Sequence, residues 1–312
     1  MDISCSFKVS IVGVGRVGTT AAYAMMLDGT PTDIVLLARD KQKAIGEKLD
    51  LEHALPFLDY VNIIATDDYA DIANSRLVVI TAGAAQQPGE TRLDLCNKNL
   101  AILQDILPKV NQAAPNAVVL IIANPVDVLT FWAHQIVPNA KGRIFGSGTT
   151  LDTARFRYHI GEAIGINPKS IHAYVLGEHG DSSFPVYANA TIGGQLLMNL
   201  PGMNLQIIQD AYTKSRDAAN KIIESKGATF YAIGVVATKI MEAIFSDAKT
   251  VFPLSVPLDN YYGHAGVALS VPCVLGARGV ERVLEIDLSN EEQEHLAVSA
   301  QKLQQFCTIK EG

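Results

Sequence analysis

A histidine set between glycines, Leu176-Gly177-Glu178-His179-Gly180-Asp181-Ser182, is the first place in the sequence to look for acid/base chemistry. Imidazole gains and loses its proton near neutral pH, which suits it to proton transfer in a reaction step. Alone, His179 is more readily a structural histidine; its company changes that. Leu151-Asp152-Thr153-Ala154-Arg155 places Asp152 and Arg155 three apart, on one face of a helix. A carboxylate such as Asp152 can hold an imidazole in one tautomer and stabilise its cation. Arg155 offers a planar fork matched to a substrate carboxylate. The blander reading of these two is a solvated ion pair worth little. A further cation, Arg92, ends the stretch Gly83-Ala84-Ala85-Gln86-Gln87-Pro88-Gly89-Glu90-Thr91-Arg92. The Gly and Pro content suits a lid from which Arg92 swings in to polarise a carbonyl. The plainer alternative is a surface loop with one solvated arginine.

A second constellation lies near the N-terminus. Gly13-Val14-Gly15-Arg16-Val17-Gly18 follows an apolar run, Lys8 to Val12, and opens a helical pattern, Arg16 to Leu27. In that setting Gly13 makes a tight turn, Gly15 admits a pyrophosphate close to the backbone, and Gly18 lets helix and strand approach. The helix N-terminus then presents N–H groups to the phosphates. NAD sites usually follow this with an acid at the end of the second strand, on the ribose hydroxyls. Here the sequence reads Leu36-Leu37-Ala38-Arg39-Asp40, and the expected acid falls on Ala38. Two readings are open: Asp40 or backbone groups bind the ribose, or the site tolerates the 2′-phosphate of NADP beside Arg39.

These residues need a scaffold that brings strand ends together. Apolar runs at Asp33–Leu37, 61–64, 77–80 and 117–122 alternate with helical patterns, and Arg143-Ile144-Phe145-Gly146 reads as an edge strand. Such alternation predicts an α/β fold, a doubly wound parallel sheet of Rossmann type. Ligands of such sheets lie beyond the carboxyl ends of the strands, where the loop after the fourth strand begins and where Asn124 closes the fifth. After Thr149 the pattern changes to a second, α+β domain. Helices are expected over 151–164, 207–226 and 229–245, strands over 172–176, 184–192, 252–262 and 268–274, and a last helix capped at Ser289. The expected division is 1–148 for the dinucleotide and 149–312 for substrate.

Composition narrows the class. With 312 residues, 48% apolar and 18% charged, the chain has ample material for two cores. It has neither a membrane-length apolar run nor a secretory leader pattern, so a cytoplasmic protein is expected. A formal net charge of −7 argues against nucleic acid as a partner. Cys5, Cys96, Cys273 and Cys307 are scattered, without metal-ligand spacing, and read as reduced packing residues with no metal site.

Taken together, the stretches GVGRVG, TAGAAQQPGETRLDL, ANPVD, GSGTTLDTARFR, LGEHGDS and KGATFYAIG, in that order, resemble the L-lactate and malate dehydrogenase family across essentially the whole chain. The resemblance implies hydride transfer between a nicotinamide dinucleotide and a small 2-oxo or 2-hydroxy acid. It makes His179 the acid/base, Asp152 its partner, Arg155 the carboxylate clamp and Arg92 the carbonyl-polarising cation. Asn124 and Thr229 would line the substrate site, Ser147 and Ile233 would lie by the nicotinamide, and Val17, Thr81 and Gly83 along the dinucleotide. Gln86 falls where malate-specific members carry an arginine for a second carboxylate; a neutral residue there favours pyruvate over oxaloacetate. A bulkier 2-hydroxy acid such as 2-hydroxyisocaproate, malate itself, and a dinucleotide-binding protein without turnover are the alternatives. The resemblance further implies a homotetramer or homodimer. It also matches Arg157 and His172 to an intersubunit site for fructose 1,6-bisphosphate, although unregulated members carry similar residues.

Overall fold

The structure, a computed structural model, describes residues 7–84 and 91–307. Its chain forms two compact units: Met1–Gly146 with Phe230–Thr250 and Val274–Arg282, and Ser147–Thr229 with Val251–Cys273 and Val283–Gly312.

The first unit is built on six strands, β1 (Lys8–Val12), β2 (Asp33–Leu37), β3 (Asn62–Thr66), β4 (Leu77–Ile80), β5 (Val118–Ile121) and β6 (Ile144–Gly146). All five neighbouring pairs run parallel, in the order β6-β5-β4-β1-β2-β3. Runs such as Leu77-Val78-Val79-Ile80 are apolar at every position because both faces of a parallel sheet are covered, and all four of these residues are buried. The order reverses between β1 and β4, so the chain leaves these adjacent strands in opposite lateral directions. This opens the sheet beyond their carboxyl ends, the usual ligand position.

Helices α1 (Arg16–Asp28), α2 (Lys41–Glu52), α3 (Arg92–Ala113) and α4 (Val126–Ile136) join these strands. The sequence reading named no helix over α3 or α4. The signal for α3 was Thr91-x-x-Asp94: Asp94 N–H donates to Thr91 Oγ1 at 3.1 Å and Thr91 N–H to Asp94 Oδ2 at 3.2 Å, a capping box. Arg92, read as the end of a loop, is therefore the first residue of a helix.

The second unit opens with α5 (Thr150–Ile164), followed by β7 (Ile171–Leu176), β8 (Phe184–Ile192), β9 (Gln195–Leu196) and α6 (Leu205–Lys226). Strands β7, β8 and β9 form an antiparallel sheet in that order. Phe156 and Ile160 of α5 and Ile208 of α6 pack with Ile171, Ala173 and Val175 of β7 in its core.

Helix α7 (Tyr231–Phe245) returns to the first unit and packs along α1. A contiguous division at 148/149 would have assigned it to the second. An amphipathic helix shows in sequence that it has an apolar face, but not which core that face joins. β10 (Thr250–Pro257), β11 (Ala268–Gly276), β12 (Gly279–Val283) and α8 (Asn290–Cys307) complete the described chain. α8 starts as read: Ser289 N–H donates to Glu292 Oε2 at 2.8 Å and Glu292 N–H to Ser289 Oγ at 3.2 Å. The other oxygen of Glu292 accepts from Tyr187 N–H and Ala188 N–H, which fixes the start of α8 to β8.

Candidate active site

In the second unit, side chains from the start of α5 fasten it to β7. Thr149 Oγ1 donates to Val175 O at 2.5 Å, and Val175 N–H donates to Thr153 Oγ1 at 2.9 Å. This joint carries Asp152, in the first turn of α5, to the loop that leaves β7 with His179. His179 Nδ1 lies 2.7 Å from Asp152 Oδ2, and Arg155 Nη1 donates to Asp152 Oδ1 at 3.2 Å. Ser215 of α6, which the sequence reading missed, donates Oγ to the Asp152 carbonyl at 2.9 Å. The three charged side chains are largely covered, at 27% (His179), 15% (Asp152) and 12% (Arg155) exposure, so this is no solvated surface pair.

Burial on its own pushes the Asp152 carboxyl up, but the neighbouring His179 and Arg155 outweigh it and hold the carboxyl below its ordinary value. An ionised Asp152 fixes Nδ1 as the protonated ring nitrogen and leaves Nε2 as the position for proton exchange. Arg155 has five N–H donors, so one bond to Asp152 leaves its fork with capacity for an anion. Thr229 is half-buried just beyond α6, and Ser147 is buried immediately after β6. Arg157 ties α5 to β7: its Nε donates to Ala173 O at 2.8 Å and its guanidinium lies over the Tyr174 ring. His172, on the same strand, is exposed.

The first unit holds the glycine loop. Gly13 N–H donates to Leu37 O, and Thr81 Oγ1 donates to Gly13 O at 2.6 Å, so the turn is held from both neighbouring strands. Gly13 has φ +108°, and a Cβ there would meet Ala82 N at 2.6 Å; one on Gly18 would meet Gly13 O at 2.0 Å. Neither position admits a side chain. Around Gly15, by contrast, a Cβ would find nothing within 4 Å, and Gly15 is the N-cap of α1 with no side-chain cap and no acid in the first turn. Uncapped N–H donors beside open space, with no competing carboxylate, fit the phosphates of a dinucleotide. Val17 follows within α1, and Ile233, on α7 of the same unit, is half-buried.

At the end of β2, Ala38 is buried and its N–H donates to Thr66 O at 3.0 Å, while Arg39 is exposed. Asp40 Oδ1 accepts from Gln42 N–H at 3.0 Å as the N-cap of α2. At the ends of β4 and β5, Gly83 and Asn124 are both exposed. Asn99 of α3, also missed from sequence, is 2% exposed. It accepts from Ala84 N–H at 2.7 Å and donates to Asn124 O at 2.6 Å, bridging the two strand exits. Nothing in the local sequence marks that role. Gln86 lies outside the described residues, as does the Arg92 side chain.

Two family models cover the chain: lactate/malate dehydrogenase, NAD binding domain, over residues 7–146, and lactate/malate dehydrogenase, alpha/beta C-terminal domain, over 149–311. An L-lactate dehydrogenase of Clostridium botulinum (strain 657 / Type Ba4) is 42% identical over 310 residues, 98% of this chain and 97% of that protein. One from Lacticaseibacillus casei is 43% identical over 305 residues, 96% and 93% of the respective chains. Among solved structures, a lactate dehydrogenase from a Medee basin deep-sea metagenome library superposes with a TM-score of 0.92 at 39% identity, covering 96% of this chain and 98% of that one. The minor L-lactate dehydrogenase of Enterococcus mundtii gives 0.94 at 33% identity, covering 99% and 100%.

Proposed function

The chain belongs to the lactate/malate dehydrogenase family, and from that premise we propose that it interconverts pyruvate and L-lactate with a nicotinamide dinucleotide. The observation that carries this reading is Asp152 held between His179 and Arg155, at 2.7 and 3.2 Å, in a largely covered setting. When bound, the reduced cofactor supplies the hydride that pyruvate receives at C2. His179, as imidazolium, delivers a proton from Nε2 to the carbonyl oxygen, and Asp152 stabilises the cation beforehand. Arg155 pairs with the substrate carboxylate and so fixes which face of the carbonyl is presented. Arg92 stabilises charge developing on the carbonyl oxygen. Asn124 and Thr229 act as polar groups for substrate, and Gln86 as the neutral residue that leaves a second carboxylate unpaired.

For the cofactor, Gly13, Gly15 and Gly18 form the phosphate turn, supported by Val17, Thr81 and Gly83, with Ser147 and Ile233 assigned to the nicotinamide. NAD is the expected dinucleotide of this family. Ala38 places no acid on the ribose and Asp40 Oδ1 caps α2, and we extend the proposal to NADP, with Arg39 as partner for its 2′-phosphate. The first unit is thus assigned the dinucleotide and the second the substrate. Arg157 and His172 are proposed to take fructose 1,6-bisphosphate in a homotetrameric or homodimeric assembly. Among the described residues no helix is long and apolar enough to cross a membrane, and the cytoplasm is the proposed location.

Absorbance of the reduced nicotinamide tests the reading directly: pyruvate is turned over in preference to oxaloacetate. Equal or faster turnover of oxaloacetate by the unmodified protein would end the lactate assignment and leave the family membership standing.

A further inference from the structure

Glu178 directly precedes His179, is 1% exposed and has partners of its own in the second unit. Its Oε2 accepts from Ser182 N–H at 3.2 Å and from the Ser182 hydroxyl, and lies 3.0 Å from Lys302 Nζ. Lys302 stands on α8, and its ammonium is also 3.7 Å from Asp181 Oδ2. One turn earlier on the same helix, Ser299 Oγ accepts from Glu178 N–H at 3.2 Å and donates to Ser182 O. Two residues of α8, three apart and therefore on one face, thus hold the loop on both sides of His179. α8 is itself fixed at its start by Glu292, which accepts from β8 backbone.

We infer that Lys302 is a positioning residue for His179, acting through the buried Glu178 and through Ser182 to fix the loop that carries the imidazole. A carboxylate so covered keeps its charge at low cost only with a cation at hand. Removing Lys302 takes a cation 3.0 Å away from a buried carboxylate, a costly change that the loop relieves by turning Glu178 towards water. Glu178 and His179 are adjacent in the chain, so that movement displaces the imidazole from its partner Asp152. Acid/base transfer depends on placement to within a fraction of an ångström, and a shift near 1 Å costs on the order of a hundredfold in rate. Substrate affinity, set chiefly by the Arg155 fork, depends on this placement far less. The inference rests on His179 being the acid/base of pyruvate reduction.

The experiment compares full-length Lys302→Met and Lys302→Arg with the unmodified protein, using pyruvate and the reduced dinucleotide. Single-turnover rates keep product release from masking the chemical step. The expected result for Lys302→Met is a reduction rate lower by roughly ten- to a hundredfold, with KM for pyruvate and cofactor affinity little changed. Lys302→Arg, which keeps the cation, recovers most of the rate. Adding Glu178→Gln to Lys302→Met brings no further loss comparable to the first, because the two act as one pair. If Lys302→Met does not fold, Lys302→Gln is judged by the same criteria. An unchanged reduction rate in a folded variant, even one with a lower Tm, overturns the inference, as does a raised KM with kcat intact. Failure of the unmodified protein to reduce pyruvate overturns the functional reading beneath it, a result separable from either.

Discussion

Replacing Asp152 with asparagine keeps the shape of the side chain and removes its charge. Both carboxylate oxygens have cationic partners, His179 Nδ1 at 2.7 Å and Arg155 Nη1 at 3.2 Å, whereas an amide has one accepting oxygen. One partner therefore faces an NH2 group. The charge-assisted bond to imidazolium is worth about 1.5–3 kcal/mol, and ~1.4 kcal/mol corresponds to one pH unit of titration. The fall in pyruvate reduction with rising pH, which reports loss of the His179 proton, should move down by roughly one to two pH units in Asp152→Asn. At neutral pH the reduction rate drops about 10- to 100-fold in proportion. The assay is single-turnover oxidation of the reduced cofactor by pyruvate across a pH series, with cofactor affinity, expected to be unchanged, measured alongside. A rate profile that stays in place refutes the claim that Asp152 stabilises the imidazolium. Stability provides an independent check. The Asp152 carboxyl is held below its ordinary value in the folded protein, so its contribution is full above the usual carboxylate range and is lost as pH falls through the depressed value. Asp152→Asn should therefore be less stable at neutral pH and lose less of its stability on acidification.

Gln86→Arg supplies a partner for a second carboxylate and should move the ratio of kcat/KM for oxaloacetate over pyruvate upwards, by up to several kcal/mol for a desolvated ion pair. An unmoved ratio removes Gln86 from substrate selection. Ala38→Asp should tighten the reduced NAD cofactor and penalise its 2′-phosphorylated counterpart, each by about 1.5–3 kcal/mol. A strong NAD preference in the unmodified protein, unaffected by the substitution, would show that the ribose is read elsewhere. Fructose 1,6-bisphosphate should lower the pyruvate concentration for half-saturation, and Arg157→Gln should abolish the response. Identical saturation curves with and without the sugar bisphosphate dispose of that site.

The parts of the site legible in sequence were those with short, fixed spacing. Gly13, Gly15 and Gly18 announce a turn because their backbone geometry is local, and Asp152 and Arg155 share a helix face by their separation of three. The pairing of His179 with Asp152, 27 residues apart, required more than spacing; residue chemistry suggested it and the resemblance to a family implied it. Ser215, Asn99 and Lys302 escaped notice because each acts on a backbone or carboxylate distant in the chain, and no periodicity records such a partner. The strands were legible for the opposite reason: a sheet buried on both faces demands apolar residues at successive positions, which few other structures do. Helix α3 is legible from its capping box, Thr91 with Asp94, directly after a segment whose Gly and Pro residues favour a loop.

The return of α7 to the first unit bears on how the chain can fold as it is made. The helix supplies buried Val236, Ala237, Ile240, Met241 and Ile244 alongside α1, and Arg76 donates to the Ile244 carbonyl at 2.8 Å. Synthesis of residues 1–146 therefore delivers the six parallel strands without one of the helices that covers them. Apolar surface on α1 stays open to water, or to other nascent chains, until about a hundred more residues have been added. A fragment cut at the end of β6 carries the same exposed surface permanently and should associate or require detergent. A circularly permuted chain, with α7 spliced directly after β6, would close that helical layer before the second unit is translated.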